Sequence, residues 1–292
     1  MKKIRNEFAD TVFDLGSIDK NLVVVVGDIS HGILQPFAKK YPDRYFNIGI
    51  CEPSTVNIAA GLNKVGLIPV IHTIAPFLIE RSYEQIKLDF GYQKLSGNFV
   101  TVGGSFDYSK LGCTHHSYSD LSLIMHLDNS KVFIPGSKDE FSKIFKKNYK
   151  TEGIKYYKIF NKTHSFKELK NGSVFKKGNS ITIVCMGSQL DNVIKSVKKL
   201  NIEKIFPEII YYNTLKPFKN DVLIKSLNKT EKLLVVEEIS SQDGLLNLCL
   251  KTINKLKKKK LNYDVISISK FIKGYGDYES LSKKNGFSVN NI

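Results

Sequence analysis

The residues best suited to chemistry lie in the stretch Tyr45–Phe90, and the first of them is a lone carboxylate, Glu52. The apolar run Tyr45–Ile50 reads as a strand, and Glu52 follows at its carboxyl end. Pro53 then suits a first helical turn, where a missing N–H costs nothing. Val56, Ile58, Ala59, Ala60, Gly61 and Leu62 continue the helix. Open parallel sheets bind ligands in the crevice beyond the carboxyl ends of their strands, so a glutamate there is a candidate for proton chemistry. Taken alone, it reads better as an ordinary helix-start acid, because a helix N-terminus favours carboxylates. Downstream, Gly112-Cys113-Thr114-His115-His116 brings two imidazoles into one loop, with a pKa range suited to sharing protons with a hydroxyl near neutrality. Asp28 follows the first apolar strand and reads as well as a turn or N-cap residue; His31 and His72 are expected at loops or strand ends facing the same crevice.

The elements that must position these residues follow from apolar spacing. Asn6–Leu15 has a helical stripe of Phe8, Val12, Phe13 and Leu15. Leu22–Val26 is a β-branched run of the kind buried on both faces of a parallel sheet. The pattern then predicts a loop at 27–32, a short helix at Phe37–Tyr41, a helix at Ser54–Val65 and a strand at Leu67–Thr73. A continuous helix at Phe77–Phe90 and a strand at Phe99–Val102 come next, and alternation continues to a strand at Lys155–Phe160. The polar stretch Asn161–Gly178 reads as a break, after which a second alternating series runs from Ser180 to Ser267. The expectation is α/β with two doubly wound domains, 1–165 and 179–292, and a linker at 166–178.

Bulk properties narrow the classes. The chain has 292 residues, 42% hydrophobic and 25% charged, ordinary for a globular protein. No run approaches the roughly 20 apolar residues of a membrane helix, and the start does not read as a secretory signal. Cys51, Cys113, Cys185 and Cys249 are far apart, three of them in apolar or strand-like context, and read as reduced thiols of a cytoplasmic protein. The formal net charge is +16, much of it in lysine runs such as Leu256–Leu261. Arginine, preferred for bidentate phosphate and base contacts, is confined to Arg5, Arg44 and Arg81. Solvated lysine surface therefore accounts for the charge better than a nucleic-acid site.

YPDRYFNIGICEPSTVNIAAGL, PVIHTIAPFLIERSYEQI, LGCTHHSYSDL, ITIVCMGSQ, TLKPF and VVEE…DGLLNL occur in the order found in one family. Over nearly its whole length the chain resembles the carboxyl-terminal half of transketolase, the pyrimidine-binding domain plus the C-terminal domain, as in the second subunit of split transketolases. The resemblance implies thiamine diphosphate as cofactor. Glu52 would hydrogen-bond a ring nitrogen of its aminopyrimidine, Phe77 would stack the ring with Ile74 nearby, and Asp28 would lie toward the thiazolium. His115 would contact the donor sugar, with His116 behind it; His72, Arg81 and Arg5 are further substrate-contact candidates. Ketol transfer between a ketose and an aldehyde is implied, the β subunit of a 2-oxoacid dehydrogenase and a non-catalytic scaffold being the alternatives.

Some positions depart from the family pattern. Leu111 stands where an aspartate usually contacts the acceptor, Gly103 where a histidine is expected and Asn161 where a second phosphate-binding arginine is expected. Arg81, Lys158 and Lys162 are possible substitutes. The Gly-Asp-Gly…Asn motif that holds Mg²⁺ and the diphosphate does not occur. The resemblance therefore implies an N-terminal partner subunit carrying that half of the site, an α2β2 assembly, and no nucleic-acid or membrane partner.

Overall fold

The computed structural model describes residues 3–242, 244–256 and 261–292; Asp243 and Lys257–Lys260 of the basic run lie outside the described residues. The first unit runs α1 (Ile4–Ile18), β1 (Leu22–Val26), α2 (His31–Lys40), β2 (Tyr45–Asn47), α3 (Glu52–Lys64) and β3 (Ile68–Ile74). It continues through two π-helical turns, Pro76–Glu80 and Ile86–Tyr92, that flank the short α4 (Tyr83–Gln85). Then come β4 (Gly97–Val102), α5 (Asp120–Met125), β5 (Ser130–Phe133), α6 (Lys138–Asn148) and β6 (Ile154–Lys158). The second unit holds β7 (Ser173–Lys176), β8 (Thr182–Met186), α7 (Leu190–Ile202), β9 (Glu208–Tyr212), β10 (Thr214–Lys216), α8 (Asp221–Thr230), β11 (Lys232–Ser240), α9 (Leu245–Lys255), β12 (Asn262–Ile268) and α10 (Tyr278–Lys284).

The valine-rich strand β1 is buried throughout because helices cover both faces of its sheet. Val24 and Val26 meet Phe8 and Val12 of α1, Phe37 of α2 and Phe141 of α6. Val25, one residue out of phase, meets Val56 of α3 with Leu78 and Phe90. The first sheet has the order β10-β5-β6-β4-β3-β1-β2, and the second β12-β11-β8-β9-β7. From β1 the chain goes to β2 on one side and then to β3 on the other, so the strand order reverses there and a crevice opens at the carboxyl ends. The α/β class and both sheets agree with the sequence expectation.

Several local expectations change. The stretch at 166–178 contains β7, which pairs antiparallel with β9 and forms an edge of the second sheet. The TLKPF stretch supplies β10, which leaves the second unit and pairs antiparallel with β5 of the first sheet. Polar composition hid both strands, since edge strands satisfy their backbone without an apolar pattern. The two units also share one apolar cluster, in which Ile134 and Tyr156 join Met186, Tyr212 and Leu215. β2 ends at Asn47 rather than Ile50, because Gly49 turns the chain at φ +78 and leaves Ile50 exposed. α2 begins at His31, earlier than predicted, and only Cys185 and Cys249 are buried. Among the described residues no helix is long and apolar enough to cross a membrane.

Candidate active site

Glu52 is the first residue of α3, and its side chain is 1% exposed. A buried carboxylate needs a donor, and Arg81 supplies it: Nη1 donates to Glu52 Oε2 at 2.7 Å. Among the described residues no group donates to the other oxygen, Oε1. Arg81 is half-exposed, with its guanidinium 4.3 Å from the centroid of the Phe77 ring. The π-helical turn makes this possible, since Arg81 N–H reaches back to Pro76 O at 3.1 Å and the widened turn sets Arg81 over Phe77. Phe77 in turn meets His115 edge-to-face at 5.0 Å. Four residues far apart in sequence thus converge on one open face: Glu52, Phe77, Arg81 and His115. Ile74, half-buried at the end of β3, lies next to Gly103, as the Tyr108 ring does.

The His115 loop is held from below. Ser105 and Ser117 exchange backbone hydrogen bonds at 2.7 Å, closing residues 105–117 into a loop. Lys158, fully buried, donates to Asp120 at 2.6 Å and to Ser117 O at 2.9 Å, while Tyr156 donates to the other Asp120 oxygen. A buried ion pair completed by hydrogen bonds fixes geometry even where its net stabilisation is small. His115 Nδ1 contacts Thr114 Oγ1 at 2.9 Å, and its ring packs on Tyr108 at 6.0 Å. Burial and the neighbouring Arg81 charge lower the His115 pKa, so the ring is neutral near pH 7 and can accept a proton. His116 is buried, its pKa lowered by burial, and among the described residues neither ring nitrogen has a partner in hydrogen-bond geometry.

Other expected residues fall differently. His72 does not face the crevice. Its ring is enclosed against Phe8 at 4.6 Å, and Nδ1 donates to Val100 O at 2.8 Å while Nε2 accepts from Ser30 Oγ at 2.7 Å. Burial pushes its pKa down to about 3, so it stays neutral. Arg5 donates to the same Ser30 hydroxyl through Nε at 3.1 Å and Nη2 at 2.7 Å, which makes a chain Arg5–Ser30–His72. Ser30 carried no sequence signal beyond following the Asp28 turn. Asp28 is at the crevice mouth with φ +50, paired with His31 at 2.8 Å and Asn47 at 3.2 Å; these hydrogen bonds lower its pKa. Lys158 is committed to Asp120 and is no surface cation; Lys162 lies 5.4 Å from the Tyr278 ring. At Gly103, with φ +81, a Cβ would come within 2.5 Å of the Tyr108 ring, so this backbone leaves no room for a side chain. Tyr108 and Asp120 are the supporting residues that sequence reasoning missed, although Asp120 lies within the LGCTHHSYSDL stretch.

Comparison with known proteins identifies the family of both units. The family profile of the transketolase pyrimidine-binding domain matches residues 1–160, and that of the transketolase C-terminal domain matches 171–245. The chain is 28% identical to one of the subunits of the apulose-4-phosphate transketolase of Actinobacillus succinogenes, covering 93% of this chain and 90% of that protein. It is 26% identical to 1-deoxy-D-xylulose-5-phosphate synthase of Halothermothrix orenii, covering 85% of this chain and 40% of the relative. Among solved structures, a split-gene transketolase in the form of an inactive β4 tetramer superposes with a TM-score of 0.88 at 26% identity, covering 100% of this chain and 96% of the other. The transketolase of Campylobacter jejuni has the same fold, with a TM-score of 0.81 at 16% identity over 99% of this chain and 45% of its own.

Proposed function

The chain belongs to the transketolase family, and on that premise we propose that it is the C-terminal subunit of a split enzyme that moves a two-carbon ketol unit from a ketose to an aldehyde. Family members depend on thiamine diphosphate. The observation that carries the reading is the convergence of Glu52, Phe77 and His115 on one open face. The donor set fits the pyrimidine end of that cofactor. A buried carboxylate with one unengaged oxygen answers a ring nitrogen, and Phe77 offers a flat apolar face for stacking, worth about 0.5–1.5 kcal/mol beyond burial.

Bound thiamine diphosphate supplies a ring carbon that adds to the donor carbonyl. Glu52 would hold the aminopyrimidine and stabilise its proton-bearing form, with Arg81 fixing the carboxylate from its other oxygen. His115, neutral and wedged between Phe77 and Tyr108, would accept and return a donor hydroxyl proton through its second ring nitrogen. The Lys158–Asp120 pair would keep the loop from drifting. Arg5, the sugar-contact candidate, donates to Ser30, two residues beyond the thiazolium-side candidate Asp28, whereas Gly103 and Leu111 would give no polar contact. This arrangement favours a specialised sugar substrate over one gripped mainly by its phosphate.

The diphosphate and Mg²⁺ would be held by an N-terminal partner subunit, in an α2β2 assembly. No group of three or more metal-ligating side chains gathers among the described residues. The inactive β4 tetramer of the split-gene relative supports the view that such a subunit is incomplete alone. Purified chain alone should show no turnover, and mixing it with the partner, thiamine diphosphate and Mg²⁺ should restore ketol transfer from hydroxypyruvate. Turnover by the isolated chain, or a preference for pyruvate with a lipoyl acceptor, would refute the proposal.

A further inference from the structure

A cleft of about 600 Å³ opens at the β5 edge of the first sheet, and none of Glu52, Phe77, Arg81 or His115 lines it. Its apolar walls come from both units: Phe133 of β5 and Ile144 of α6 from one, Leu169 and Pro217 from the other. Five lysines line it against two carboxylates, Glu140 and Glu168. Both carboxylates are already engaged. Glu140 accepts from Gly136 N at 2.8 Å, Leu169 N at 3.0 Å and Tyr211 Oη at 2.9 Å, and Glu168 is paired with Lys143. Among the described residues no carboxylate lies within ion-pair distance of Lys147, Lys170 or Lys219.

A second observation comes from the sheet beside the cleft. Lys131 of β5 and Lys155 of β6 stand directly opposite in register, an arrangement of like charges that costs stability. Lys131, which lines the cleft, donates to Thr151 Oγ1 at 2.8 Å, and Lys155 donates to Thr151 O at 2.5 Å; among the described residues neither is paired with a carboxylate. Lys155 is buried, and burial together with Lys131 pushes its pKa down to about 7. The cleft lining thus carries five lysines against two carboxylates, an excess of positive charge that a bound anion would offset.

We propose that this cleft binds an organic phosphate of nucleotide size, with its phosphates among Lys147, Lys170 and Lys219 and its ring against Phe133, Ile144, Leu169 and Pro217. The volume falls in the range of about 300–1,000 Å³ typical of small-molecule sites. Lysine is a point-charge phosphate ligand that needs no bidentate geometry. The apolar walls favour a ligand with a ring over a bare sugar phosphate. Since both units line the cleft, an occupant bridges α6 and the β10 crossover.

The test is calorimetric titration of the full chain with ADP in magnesium-free buffer, repeated with adenosine and with inorganic phosphate. The variant carries Lys147→Met, Lys170→Met and Lys219→Met, which keep the apolar stems; its melting temperature confirms the fold. ADP should bind saturably, weaken as salt is raised and lose about tenfold or more in affinity in the triple variant, while adenosine should not bind. The proposal is overturned by absence of saturable ADP binding at millimolar concentration or by unchanged affinity in the variant. It is equally overturned by inorganic phosphate binding as tightly as ADP.

Discussion

Both sheets place glutamates toward the carboxyl end of a strand: Glu52 after β2 in the first, Glu237 and Glu238 in β11 of the second. What answers each carboxyl group differs. Glu237 accepts the first amides of α9, Leu245 N at 2.5 Å and Leu246 N at 3.3 Å, and a Cβ at Gly244 would collide with it. Glu238 accepts from Ser188 and Tyr278, each at 2.7 Å, and from Gln189. Burial pushes the Glu237 pKa up to about 8 and raises that of Glu238. Both acids of the second sheet are thus buried against groups of their own chain, with Glu237 engaged on both oxygens and Glu238 on Oε2, its Oε1 having no partner among the described residues. Glu52 is as deeply buried, yet its only donor among the described residues is a half-exposed arginine side chain. Glu237 is engaged on both oxygens by rigid backbone donors, whereas among the described residues Glu52 has one oxygen engaged, by an arginine side chain.

That contrast can be broken by exchanging the acids. In the reconstituted two-subunit enzyme, Glu52→Gln should lower kcat by about 100- to 10,000-fold, the usual span of a proton-handling group, whereas Glu237→Gln should leave kcat unchanged. Steady-state assays of the two variants decide this; equal losses would erase the distinction. Next in size is the support under His115. Lys158→Met leaves the Asp120 charge buried and unpaired and should cost about 3–5 kcal/mol in urea unfolding. The double variant Lys158→Met with Asp120→Leu should recover much of that, while turnover stays impaired because Ser117 has lost its anchor.

A smaller effect separates the two sheets by pH. The folded pKa of Glu237 lies above its unfolded value, so its contribution to stability is complete below about pH 4.5 and disappears as pH rises through about 8. Glu237→Gln should flatten the fall of the unfolding midpoint across that window, by an amount of order 1–3 kcal/mol; an unchanged slope would contradict the assignment. Smallest of all is an exchange on the open face. Leu111 is 56% exposed, so Leu111→Asp should change stability by no more than about 0.5 kcal/mol. It should raise kcat/KM for hydroxyaldehyde acceptors, as competition between acceptors would reveal.

Much of this could be read from the chain. The valine-rich strand, the helical stripe through Phe8 and Val12, and the alternation of short strands with helices are local patterns, and they set the α/β class. Glu52, Phe77 and His115 were named as candidates through ordered resemblance, and the fold brings them to one face. His72 was misplaced because a strand pattern marks alternation but not which side of the sheet receives a given ring; packing against Phe8 of α1 decided that. Lys158 read as a free cation because Asp120, its partner, lies 38 residues away in sequence. The continuous helix expected at Phe77–Phe90 became two π-helical turns around α4, a backbone choice that apolar spacing does not encode.

By itself, then, the sequence determined most of the core strands and helices and which residue types are available for chemistry, because burial periodicity is a property of neighbouring residues. Only the tertiary structure decided which charges are spent. It took Lys158, Glu237 and His72 out of circulation, and it sent β10 across to the other sheet to wall a lysine-lined cleft. It also set Arg81 on Glu52 over the Phe77 ring. Those outcomes depend on donors and acceptors that are distant in the chain and adjacent in space, where the cost of leaving a buried polar group unanswered selects one partner from many.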